Sequence, residues 1–400
     1  MPTTLVLIAA SIAFAVYFFR PRMLGSNFWR ATVTPLASIV GSGFLIAGPI
    51  LYDAAGTMAW LAMLGLCGLA YLFGAAVREN ILHIEDAQRT PLQGFVNEAA
   101  GLVLAGAYFI SVAYYLNLFA AFGLRLGDIT DPFIIRIVAT SAIAAIGATG
   151  AFGGLGALES LEVGTVGLKL SVIGGLLVTM ALAAAATWLS GESFPQHEFA
   201  AQRGWDEIRT ILGLVVLVQG FETSRYLGGK YDAEMRVRTM RRAQWIAMGI
   251  YVVFITLFLP YFTGEVKGEG AETAIIDMLA PLSIAVTPLL IAAALASQSS
   301  AAIADTNGAG GLIAEASRRR VPVKAAYLLT AAVAIVMTWG FHIFEIITWA
   351  SRAFVAYYAL QAFLASSAAA QRGAWAKAGL YGAACLLAVT IIFVAKPAEA

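Results

Sequence analysis

Charge is what this 400-residue chain lacks. Lys, Arg, Asp and Glu make up 12% of it, and 60% is hydrophobic, where a soluble domain carries roughly 25% charged residues. A water-soluble globule is excluded, and a mean hydropathy of +0.80 indicates an integral membrane protein. No basic block interleaves with aromatics, which excludes nucleic acid as a partner. There are two cysteines, Cys67 and Cys385, both in apolar stretches and without metal-ligand spacing, so they read as packing residues. The three histidines, His83, His197 and His342, show no ligand spacing either. With no nucleophile–base pair visible, neither an enzyme nor a cofactor is expected. The net charge of +1 says nothing of partners, because membrane proteins sort charge by location, and nothing specifies an oligomeric state.

Apolar stretches are what the chain has. A bilayer span needs about 20 apolar residues. A leading stretch at 3–19 has no basic residue before it and is followed by Arg20, Arg22 and Arg30, the reverse of a cleaved signal; a retained helix is expected. Eleven further spans, numbered 1 to 11, lie near 31–52, 57–78, 99–124, 132–150, 157–189, 207–228, 240–262, 283–314, 321–338, 341–368 and 374–395. With this count Lys and Arg collect in alternate loops, as at Arg236 to Arg242 and Arg318 to Lys324, while the facing loops hold few. Both termini are then outside, in a multi-pass protein of a plasma membrane such as a bacterial inner membrane. The connectors 190–206 and 263–282 are expected outside, and the whole chain is read as one membrane domain.

Two spans carry their own interruptions. Span 1 reads ASIVGSGFLIAGPIL over 37–51, with Gly41, Ser42 and Gly43 at its centre; span 6 reads VLVQGFETSRYLGG, with Gln219 and Gly220 before Glu222 and Arg225. Glycine costs about 1 kcal/mol against alanine in a helix, so a break inside hydrocarbon needs a reason, although small residues also let helices pack closely. Two interrupted spans five helices apart mark an inverted-repeat transporter that binds its substrate at the unwound segments. Spans 1 to 5 (31–189) form one repeat, and spans 6 to 10 (207–368) the other. Freed N–H groups can hold a carboxylate and freed carbonyls an ammonium or cation, which suits a zwitterion.

VGSGF at 40–44 and QGFE at 219–222 resemble the first- and sixth-helix motifs of the amino acid-polyamine-organocation (APC) superfamily. The resemblance spans 31–368 and implies an all-α LeuT-type five-plus-five inverted repeat, here with an extra N-terminal helix and one C-terminal helix. It implies that Gly41, Ser42 and Gly43 receive a substrate carboxylate, and Gln219, Gly220 and Phe221 its amine. The extra leading helix departs from that pattern and is instead similar to the sodium/solute symporters, which share the fold.

Charges within the spans are few: Glu159, Glu162 and Lys169 in span 5, Glu222 and Arg225 in span 6, Asp305 in span 8, Glu345 and Arg352 in span 10. Each costs about 2.5 to 3.5 kcal/mol at mid-bilayer and so faces a cavity or a partner. Ala296, Ser299 and Ser300 share one face of span 8, a spacing that resembles half of the symporters' sodium site. VGTVGLKLSVIGG resembles the fifth helix of proton-coupled or sodium-independent APC members, where a lysine takes the place of sodium. That implies a Lys169 ammonium on span 1 carbonyls and Ser299 or Ser300, with Asp305 able to relay a proton; a fixed structural cation is the plain alternative. Glu222 and Arg225, three apart, are expected to pair along their helix, with Glu222 also beside the break. Glu345 and Arg352, two turns apart, are expected to line a cavity or gate. Tyr114 and Tyr115 are candidates for the substrate wall.

The expected function is proton-coupled symport of an amino acid or related small amine, with no cofactor besides the coupling ion, a proton or sodium. Sodium coupling at Ser299 and Ser300 is the alternative, and a sensor or scaffold using a transporter fold without transport is the alternative of another class.

Overall fold

The computed structural model describes residues 2–41, 43–84, 90–153, 162–191, 204–264, 266, 268 and 270–398. Ser42 and Glu159 therefore lie outside the described residues, as do the side chain of Glu162 and most of the connector 190–206.

Among the described residues, nine helices are long and apolar enough to cross a membrane. These carry spans 2 to 5 and 7 to 11. The three expected spans missing from that count are the leading helix, Pro2–Phe18, one residue short of the length required, and spans 1 and 6, which are broken. The continuous helices outrun the apolar stretches at their polar ends. Span 3 runs Pro91–Leu124 and span 7 Ala233–Phe258, because capping residues extend them. The Thr90 hydroxyl accepts from the Gln93 amide, and Asp232 accepts from the Met235 amide.

Span 1 is two helices, Asn27–Ile39 and Phe44–Ala55, separated at the glycines. Span 6 is more broken than expected. An eight-residue helix, Trp205–Leu212, stops at Gly213, and short 3₁₀ pieces, Val215–Val218 and Phe221–Leu227, flank Gln219 and Gly220.

Spans five apart in the chain pack in pairs. The first half of span 1 lies against Phe221–Leu227 of span 6, span 2 against span 7, span 3 against span 8, and span 4 against span 9. The two extra helices cover counterpart faces, the leading helix along span 5 and span 11 along span 10. Close approach of the leading helix depends on missing side chains. A Cβ on Gly175 would stand 2.0 Å from Ser11 Oγ, and one on Gly174 2.6 Å from the Phe14 ring.

Where the two broken spans meet, backbone touches backbone. A Cβ on Gly43 would lie 2.5 Å from Leu217 Cα, and one on Gly220 would lie 2.4 Å from Ser38 Cβ and 2.9 Å from Ile39 N. Gly220 also has φ +113°, a conformation that disfavours any L side chain. Gly220→Ala should lower the thermal unfolding temperature of the purified protein, with a cost of at least about 2 kcal/mol from strain and overlap. Gly229→Ala, with nothing within 4 Å, should leave it unchanged. Equal melting of the two variants would mean that the crossing tolerates a side chain.

Candidate functional site at the crossing of two broken spans

A break leaves carbonyls and amides that hydrocarbon cannot satisfy. Three side chains serve the freed carbonyls at the end of the first half of span 1. Lys169 Nζ, on span 5, donates to Ala37 O at 2.7 Å and to Ser297 Oγ at 3.4 Å. Ser297, on span 8, donates in turn to Gly41 O at 2.8 Å. The Tyr251 hydroxyl, on span 7, lies 2.9 Å from Ile39 O and 2.6 Å from Leu217 O. Its single proton is thus shared between a carbonyl of each break. In span 6 the counterpart of span 5 does similar work: Ser351, on span 10, donates to Gly213 O at 2.6 Å and accepts from the Val216 amide at 3.0 Å.

Lys169 therefore stands on a span 1 carbonyl, but the hydroxyl it meets is Ser297 and not Ser299 or Ser300. Ser299 bonds back to Leu295 O and Ala296 O of its own helix. One residue along a helix is a rotation of about 100°, so the face chosen through Ala296, Ser299 and Ser300 is turned away from the buried face that carries Ser297 and Asp305.

On span 3, Tyr114 and Tyr115 are fully buried, and Gln219 Nε2 donates to Tyr115 Oη at 3.1 Å. Gln219 Oε1 is buried and has no hydrogen-bond partner among the described residues. Phe221 stacks on Tyr358. Beside the breaks a small crevice between spans 2 and 7, lined by Ile39, Cys67, Val218 and Tyr251, measures about 10 Å³, room for about one water.

Toward the basic end lie two buried carboxyl groups. Glu222 accepts from the Tyr358 hydroxyl at 2.8 Å and from the Gly220 amide at 3.0 Å. Asp305 accepts from Ser111 on span 3, and the two carboxyls are within electrostatic range of each other. The expected helix pair of Glu222 with Arg225 does not form. Arg225 reaches instead to Gln361 Oε1 and Asn97 Oδ1, each at 2.6 Å, while the Glu222 carboxylate is held by Tyr358 and the Gly220 amide. Asn80 joins the same Gln361 at 2.8 Å, so spans 2, 3, 6 and 10 are tied together beneath the carboxyls.

Glu345 and Arg352 do not share a cavity. Glu345 is exposed and accepts from the His342 amide at 2.8 Å, closing its own helix start. Arg352 donates to Ala395 O and lies 5.1 Å over Trp349, which fastens the C-terminal segment. Their two-turn spacing put them on one helix face but could not say what that face meets.

Family-level comparison agrees with this geometry. A model of the APC superfamily of transporters matches residues 21–395. The chain belongs to the APC superfamily of transporters. It is 37% identical over 373 residues to an uncharacterized protein of Aquifex aeolicus (strain VF5), covering 91% of this chain and 89% of that one. Its fold is similar to the solved structure of a Na+-coupled sialic acid symporter in a substrate-bound outward-open state. That likeness has a TM-score of 0.55 at 14% identity and covers 99% of this chain and 98% of the other. The fold is thus LeuT-type, and this APC protein is a multi-pass secondary transporter of a small molecule.

Sequence reasoning missed Tyr251, Ser297 and Ser351. A lone hydroxyl in an apolar span carries no signal of its own, since it can equally bond its own helix. Tyr251→Phe leaves two buried carbonyls short of a donor. It should destabilise the purified transporter by about 1–3 kcal/mol in thermal unfolding, and an unchanged transition would show that the hydroxyl holds neither break.

Proposed function

We propose that this APC protein is a proton-coupled symporter of an amino acid or a related small amine in a plasma membrane, with both termini outside, and with 31–189 and 207–368 as its inverted repeats. The observation that carries the coupling is Lys169 Nζ at 2.7 Å from Ala37 O and 3.4 Å from Ser297 Oγ. Carbonyls freed by a broken helix together with a neighbouring hydroxyl are the hard oxygens that a sodium ion would seek. Here an ammonium already uses them. A second cation about 4 Å away would meet a repulsion of ~4 kcal/mol at an effective dielectric of 20. The oxygen set therefore fits a protonated lysine better than sodium.

Lysine can leave that state by losing a proton, which desolvation favours. Glu222 and Asp305, held by hydroxyl and amide donors, are acceptors through which the proton could pass toward the basic end. Loss of charge at Lys169 would release Ala37 O and loosen the first half of span 1, which links protonation to opening. The zwitterionic cargo is supported by the chemistry of the crossing: glycine backbone at Gly41 and Gly43 for a carboxylate, and the oxygen of Gln219 with the Phe221 and Tyr115 rings for the amine side.

The test is uptake of radiolabelled amino acids into proteoliposomes under a proton gradient alone or a sodium gradient alone. Proton-driven accumulation is expected, with Lys169→Gln abolishing accumulation while leaving labelled substrate able to exchange. Accumulation under sodium alone, unaffected by Lys169→Gln, would overturn the reading in favour of sodium.

A further inference from the structure

A separate cavity of about 250 Å³ opens at the end of the bundle that carries the connector 263–282. Its walls include Asn117 of span 3, Arg136 of span 4, Gly270 and Glu272 of the connector, and Phe341 and His342 at the start of span 10. None of the groups that hold the breaks is among them.

The charges in these walls are unusual for this end of the molecule. Among the described residues, other cations there are engaged: Arg125 pairs with Asp277, and Arg209 with Asp206. Arg136 has no ion-pair or hydrogen-bond partner among the described residues, although it faces a cavity that also holds an acid. That acid, Glu272, is only 9% exposed. It accepts a bond from its own amide and from no side chain among the described residues; the Arg125 guanidinium and the His342 ring lie nearby. Burial holds its carboxyl above the usual carboxylate range, so the ionised form gains from any further cation brought beside it. Asn117 has committed its amide nitrogen to Ala113 O and Thr338 Oγ1, both at 2.8 Å, which leaves its oxygen as the group it can offer. Phe341 supplies an apolar wall.

A lone guanidinium and a mostly buried carboxylate thus line one space without touching each other. The buried carboxylate is costly to leave so, the half-buried guanidinium is open to an anion, and a ligand with both charges would pair the two. We infer that this cavity is a second binding site, distinct from the crossing of the broken spans, for a small zwitterion of the α-amino acid class. The ligand's carboxylate lies on Arg136, bidentate as guanidinium geometry favours, and its ammonium lies between Glu272 and the Asn117 oxygen. A neutral solute would pair neither charge, and an anion or a cation alone would pair only one. The site needs neither transport nor a particular coupling ion, so it stands or falls apart from the proposed symport.

His342 is exposed at the cavity wall, and its replacement by cysteine gives a reporter. Purified full-length H342C is labelled with a soluble maleimide, and the rate is compared with and without a millimolar mixture of the standard L-α-amino acids. Acetate and methylammonium serve as single-charge controls. The mixture is expected to slow labelling severalfold, with either control giving little protection. Adding Arg136→Gln or Glu272→Gln should remove the protection, whereas Gln219→Ala at the central site should leave it in place. I343C provides the same readout should H342C fold poorly. Absence of protection in both reporters, equal protection by acetate alone, or protection that survives Arg136→Gln and Glu272→Gln would overturn the inference. Protection lost only in Gln219→Ala would assign the effect to the central site, and would overturn it equally.

Discussion

Everything in this molecule depends on two interrupted helices pressing backbone to backbone at mid-depth. Gly43 against Leu217 and Gly220 against Ser38 leave no room for a single Cβ, and that closeness brings the loose ends of both spans within reach of shared donors. Hydrocarbon offers no water to satisfy a freed carbonyl, so the fold must supply each donor from a neighbouring helix. Lys169, Ser297, Tyr251 and Ser351 are those donors. Their arrangement makes the breaks stable enough to exist, and conditional enough to move when one donor changes its charge.

The order of the bundle serves that crossing. Spans 3 and 8 pack against each other and bring Ser111 to Asp305, while span 10 contributes Tyr358 to Glu222 and Gln361 to Arg225. Polar bonds thereby tie four spans together at the basic end. At the opposite end a cavity of about 250 Å³ remains. A transporter needs its polar groups to be either paired or about to be paired by cargo, and the contrast between the hydrogen-bonded Arg225 and Glu222 at the basic end and the unmatched charges of Arg136 and Glu272 follows that rule.

Besides the Glu222–Arg225 pair, two expectations built on helix spacing alone were corrected by the three-dimensional structure. Glu345 and Arg352 share a helix face, yet one caps its own helix and the other holds Ala395. Ser299 and Ser300 share a face with Ala296, yet the neighbour of Lys169 is Ser297. In both cases the spacing determined which residues lie together on one helix. It carried no information on the rotation of that helix about its own axis, which is set by packing against others.

The sequence by itself determined the membrane character, the number of spans, the places where two of them break and the presence of a cation in span 5. These are properties of local composition: apolar length, glycine placement and the cost of a charge in hydrocarbon are written residue by residue. Tertiary structure alone decided which hydroxyls meet the freed carbonyls, that Tyr251 bridges both breaks, that span 6 breaks a second time beside Gly213, and that Arg136 and Glu272 face one space. Those facts join residues up to 256 positions apart, as Ser297 and Gly41 are. They depend on how helices rotate and tilt against each other, a choice made by the packing of the whole bundle and by no single stretch of it.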